Sequence, residues 1–264
     1  MVPIFTWGYL LWVLLPTMLI SFAAQSYLRS AYGKWSKVRN SLNMTGAEVG
    51  QAIIDRTSLA DKAFGLRLGG AASGLSAGGM AGSFGRTGRA GNAASLQLEM
   101  IGGQLTDHYD PSSHTVRMSE AVATQSSVMA MAVVAHELGH AEQHEKNSLL
   151  IQMRNLLLPA LQFTPTISYF MILGGLFLNI VGLLWLGILL FGLMVVFSVL
   201  TLPVEIDASM RGLRLLREAG LLRSEQDGAG ARQMLTAAAT TYIAAAITSV
   251  IQLLYYVSLA QRRS

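Results

Sequence analysis

The chain has 264 residues, of which 52% are hydrophobic and 13% charged, an apolar share above and a charged share below those of ordinary soluble domains. It contains no cysteine, which excludes disulfides and thiolate metal shells and leaves His, Asp and Glu as metal-ligating side chains. The net charge is +4 without any Lys/Arg run interleaved with aromatics, which argues against a nucleic-acid partner.

Residues 4–24 carry no charge, enough for a helix to cross a hydrocarbon core of about 30 Å. No Lys or Arg precedes this stretch and its apolar part exceeds the usual signal-peptide length, so it reads as a retained anchor. Arg29, Lys34, Lys37 and Arg39 follow with no acid before Glu48, which by the positive-inside rule places the next segment in the cytoplasm. Residues 44–55 predict a capped helix, with Thr45 as N-cap and Glu48 three positions later. Residues 65–103 hold twelve glycines and bury too little apolar surface to offset ordering, so they read as a flexible insertion. Residues 112–120 alternate like a short strand, and residues 124–146 read as a helix capped by Ser126 or Ser127.

Residues 155–204 again lack any charge and fit two membrane-crossing helices with a turn near 179–182. Pro203 marks a point where a new helix can start. A weaker apolar stretch, residues 234–259, either spans or packs against the other helices. If it spans, Arg262 and Arg263 lie outside, against the charge rule. The resulting division is an anchor (1–24), a cytoplasmic part (25–154), a transmembrane hairpin (155–204), a cytoplasmic helix (205–233) and a C-terminal apolar helix (234–264).

Three of the five histidines, His136, His140 and His144, lie four residues apart on the predicted helix. His136-Glu137-Leu138-Gly139-His140 matches H-E-x-x-H, in which the two histidines share a helix face and reach one Zn²⁺. Glu137 sits about 100° round the helix, placed to touch a water on the metal. His144 lies about 12 Å along the axis from His136, too far for one straight helix to offer all three to one ion. It reads as a surface residue or an outer partner. A third ligand is expected from a downstream carboxylate, and Glu205 is the first after the long apolar run. Glu205 and Asp207 would equally suit a helix N-terminus at a membrane boundary. An even number of crossings returns Glu205 to the side of His136, which favours the ligand role. Asp207 is the competing ligand, or a partner that orients a histidine.

The segments "KWSKVRNSLNMTGAEVGQAIID", "LTDHYDPSSHTVRMSE", "AHELGHAEQH", "TLPVEIDASMRGLRLL" and "MLTAAATTYIAAAI" together resemble the bacterial membrane zinc metallopeptidases of the YugP type, a neutral zinc metallopeptidase family. The resemblance covers nearly the whole chain except the glycine-rich stretch. It implies a mainly α integral membrane protein with three or four transmembrane helices and a small zincin-like α+β metallopeptidase domain at the cytoplasmic face. It also implies Zn²⁺ held by His136, His140 and a downstream glutamate. Related membrane gluzincins often place an Asp four residues after the ligand Glu; here that residue is Ser209, so the support of the histidines must differ.

The chemistry expected is metal-assisted peptide hydrolysis with Glu137 as general base. His108, Tyr109 and Arg211 are candidates to donate to the developing oxyanion. The partners expected are the lipid bilayer of the cell membrane and protein or peptide substrates, membrane proteins foremost. A transporter would want ionisable residues inside its spans, and residues 155–204 have none. A catalytically silent zinc-binding membrane scaffold is the alternative.

Overall fold

The elements in chain order are α1 (Trp7–Trp35), α2 (Gly46–Arg56), β1 (Gln97–Ile101), β2 (His108–Asp110), β3 (Thr115–Ser119) and α3 (Glu120–Thr124). α4 (Val128–Glu145), α5 (Thr164–Phe177), α6 (Val181–Glu218) and α7 (Glu225–Gln261) follow. The computed structural model describes residues 7–57, 59, 96–103, 105–146, 148, 149, 151–154 and 163–263. The chain divides into two units, one from Met1–Ala31, Asn147–Ile206 and Thr236–Ser264, the other from Tyr32–Lys146 and Asp207–Leu235.

The first unit is an apolar helix bundle. α1, α6 and α7 are each long and apolar enough to cross a membrane, and α5 is a shorter apolar helix of 14 residues. The C-terminal apolar stretch is thus part of a helix of spanning length. Phe22, Phe170, Leu189 and Leu254 stand exposed on these helices, a surface suited to hydrocarbon rather than water. Inside, Ile172 and Leu176 of α5 pack with Leu184, Ile188, Phe191 and Val195 of α6 and Tyr256 and Leu259 of α7. The α5–α6 turn passes through Asn179 at φ 57°, a left-handed conformation that Asn tolerates. At one end of the bundle the Tyr9 and Tyr255 rings lie 4.7 Å apart, and Arg263 Nη1 donates to the Leu176 carbonyl at 2.8 Å. The start of α1, the α5–α6 corner and the end of α7 therefore share that end.

α6 runs unbroken through Pro203, where the sequence predicts a fresh helix start. A proline removes one backbone donor, and an apolar helix held by neighbours tolerates that loss. Glu205 consequently rides on the same rod as the apolar span.

The second unit is the α+β part. Thr45 caps α2 in a full capping box, its hydroxyl accepting from Glu48 N and the Glu48 carboxylate accepting from Thr45 N at 2.7 Å. The sheet order is β1-β3-β2, with β1 parallel to β3 from Gln97↔Thr115 to Ile101↔Ser119 and β2 antiparallel to β3. β1 corrects the reading of residues 65–103 as one flexible insertion, since its last part is an ordered edge strand. Leu98 and Met100 supply the alternation that the glycine count obscured. Residues 65–95 of that stretch lie outside the described residues. The core gathers Ile53 of α2, Val116 and Met118 of β3, Met129, Met131 and Leu138 of α4, and Leu215 and Leu216 of α6. α4 is buried over most of its length, its first half apolar all round and its second half burying Glu137, His140, Glu142 and Gln143.

Candidate metal centre

Ser127 opens α4, its hydroxyl accepting from Ala130 N at 3.1 Å. Two turns on, His136 and His140 stack in sequence with ring centroids 4.8 Å apart and planes nearly perpendicular. One ligand atom from each of His136, His140 and Glu205 lies within 4.8 Å of the other two. Glu205 is 2% exposed and His140 6%, while His136 is half-buried. Two imidazoles and one carboxylate are a donor set suited to Zn²⁺, whose ligand bonds of about 2.0–2.2 Å call for side-chain closure of about 1 Å. The residues fit the ion.

The approach of α4 to α6 explains two glycines. A Cβ on Gly139 would sit 2.3 Å from the Ala208 carbonyl oxygen, and one on Gly212 would sit 2.6 Å from that of Ala135. Backbone faces backbone on both sides of the crossing, so neither contact can be relieved by a rotamer. Gly139→Ala should therefore lower unfolding stability by at least about 1–3 kcal/mol and weaken zinc binding, measured by thermal unfolding and metal content together. Retention of both would show that the helices need not approach so closely.

Both histidines are held through Nδ1. His136 Nδ1 lies 3.2 Å from the Ser209 hydroxyl, and His140 Nδ1 lies 3.0 Å from Gln143 Oε1. Gln143 Nε2 donates to Asp207 Oδ2 at 2.7 Å, and Arg211 Nε donates to the same oxygen at 2.7 Å. Glu142, 1% exposed, accepts from Arg211, Arg214 and Lys146. Burial alone would push its carboxyl up, but Lys146, Arg214 and Arg211 together hold it below the ordinary value. Arg154 Nη2 lies 3.7 Å from Glu205 Oε1. Asp207 thus reaches a histidine only through an amide, and Ser209 itself contacts the other. Gln143, Glu142 and Arg154 escape a sequence reading because nothing in H-E-x-x-H spacing points to them.

Glu137 is 8% exposed, and its Oε2 accepts from the Tyr109 backbone N–H at 2.9 Å, joining β2 to the H-E-x-x-H turn. The Tyr109 hydroxyl lies 2.7 Å from His114 Nδ1 and 3.0 Å from His144 Nδ1. One phenol proton serves only one of these, so the other ring must donate. His144 accordingly sits in a Tyr–His–His cluster and not among His136, His140 and Glu205. His108 is exposed, with Nδ1 2.7 Å from the Thr106 carbonyl oxygen, and Arg211 is engaged by Asp207 and Glu142. Burial, with His114 as the second cause, lowers the His144 pKa despite the opposing charge of Glu145. The unfolded chain then binds more protons here below its ordinary value of 6.5, so stability present above that pH is lost on acidification. The thermal midpoint should fall between pH 7.5 and 5.5, and His144→Gln should shrink that fall.

A family model described as "Putative neutral zinc metallopeptidase" matches residues 10–64 and 87–261. The chain belongs to this family. The gap between the two matched segments falls within the glycine-rich stretch. The neutral zinc metallopeptidase assignment is joined by 34% identity over 238 residues to the "Putative membrane protease YugP" of Bacillus subtilis (strain 168), covering 90% of each chain. No solved structure matches. The family's name implies zinc, and the His136–His140–Glu205 cluster is a place able to hold it.

Proposed function

We propose that this protein is a membrane-embedded zinc endopeptidase that cuts membrane or membrane-proximal proteins. The reading is supported by one observation: His136, His140 and Glu205 offer ligand atoms within 4.8 Å of one another, a group that could hold one ion. Zn²⁺ bound there supplies Lewis acidity, acidifying water and polarising the scissile carbonyl. Glu137 takes up the water proton and later passes it to the leaving amine. The Tyr109 amide fixes one carboxylate oxygen, so the other is the one to exchange the proton. Of the three candidate oxyanion donors, His108 and Tyr109 lie on β2, the strand bonded to Glu137, and Arg211 is committed to positioning carboxylates.

The active site faces the cytoplasm of the cell membrane in this reading. Arg29, Lys34, Lys37 and Arg39 follow the first apolar stretch, outnumbering Arg262 and Arg263 after the last. Because Glu205 continues an apolar rod, cleavage should be confined to peptide bonds near the bilayer. One cleavable sequence placed at increasing distances from a membrane anchor should be cut more slowly as the spacer grows. Equal rates at all spacings would remove the membrane-proximal substrate class.

A further inference from the structure

The position expected to carry an Asp beside a histidine holds Ser209, and the nearest carboxylate on α6, Asp207, contacts neither ligand histidine directly in the hydrogen bonds described. Between Asp207 and His140 lies Gln143, fully buried on α4, bonded to one at each end of its amide. We propose that Gln143 is a positioning residue that relays the Asp207 carboxylate to His140 and so fixes the tautomer presenting Nε2 to the metal. The inference rests on the metal-centre reading given under Proposed function.

The direction of the relay is dictated by its far end. Asp207 Oδ2 is an acceptor only, already taking a bond from Arg211 Nε, so the amide must turn its NH₂ toward it. Oε1 then faces His140 Nδ1 at 3.0 Å, and only a protonated Nδ1 can satisfy it. A flipped amide would set its oxygen against the Asp207 carboxylate, a repulsive contact in a buried place. Arg211 is itself held by Glu142, which Arg214 and Lys146 also grip, so the anchor of the relay is an ion cluster between α4 and α6. Unlike a carboxylate, an amide brings no charge of its own to the imidazole. It therefore orients His140 through Nδ1 without setting a full negative charge beside the ring.

The test uses the full-length protein in detergent, with Zn²⁺ affinity read by competition against a chromophoric chelator. Gln143→Met and Asp207→Ala should each weaken zinc about 10–100-fold. The double variant should be little weaker than either single one, because both cut the same chain. In metal-free protein, imidazole ¹⁵N spectra should show His140 protonated at Nδ1 in the wild type and mixed between tautomers in each variant. Unchanged zinc affinity, additive losses or an unaltered His140 spectrum would overturn the relay. Should Gln143→Met not fold, Asp207→Ala reads the same chain from a partly exposed residue, and wild-type affinity there overturns it equally. A wild-type protein that binds no zinc would sink the metal centre as well, whereas zinc-loaded wild type with an unaffected Gln143→Met sinks the relay alone.

Discussion

Glu137→Gln should reduce peptide hydrolysis by about 10²–10⁴-fold while leaving zinc content at the wild-type level. Glutamine keeps the side-chain length and an oxygen for the Tyr109 N–H, so the contact between β2 and α4 survives. What it loses is the ability to take up a proton at neutral pH. The measurement is cleavage of an unstructured peptide in detergent or reconstituted bilayers, paired with metal analysis of the same preparation. A variant that cuts at the wild-type rate would place the general base elsewhere. Wild-type protein that holds one zinc yet shows no Glu137-dependent cleavage would favour the silent scaffold.

Glu205→Gln should strip zinc from the protein, by a larger factor than the about 10–100-fold expected for losing an outer partner such as Asp207. Among the three clustered donors Glu205 is the anion, and it is nearly buried. Without it a dication would face two neutral rings in a poorly hydrated place, with the Arg154 guanidinium nearby. Metal analysis of Glu205→Gln beside Asp207→Asn decides the matter, because the two acids lie two residues apart and contact different partners. If Asp207→Asn loses the metal and Glu205→Gln keeps it, the ligand assignment is reversed.

The metal cluster was open to sequence reasoning because its parts obey short-range rules. Four residues of helix bring His136 and His140 to one face, and Glu205 is the first carboxylate after the long apolar run. The capping box at Thr45 and the cap at Ser127 follow from equally local chemistry. What escaped depends on tertiary approach. The strand Gln97–Ile101 is hidden by the glycines before it and gains its partner from β3, across a long connection. The continuity of α6 through Pro203 rests on packing that no local propensity encodes. Gly139 and Gly212 read as ordinary helix weakeners until each is found against the backbone of the facing helix. Gln143 looks like a polar residue on an exposed helical face, yet it is fully buried because α6 brings Asp207 to it.

The unbroken course of α6 through Pro203 has a practical consequence for anyone seeking a soluble fragment. Excising residues 32–146 would retain His136, Glu137 and His140 but discard Glu205, which belongs to the long apolar helix α6. Such a truncation should behave as a two-ligand chelator, inert toward peptides. By the same token, bilayers too thin or too thick for the rod would tilt or shift the piece that bears Glu205. Turnover should accordingly vary with acyl-chain length in reconstituted vesicles, tying hydrolysis to the thickness of the surrounding leaflet.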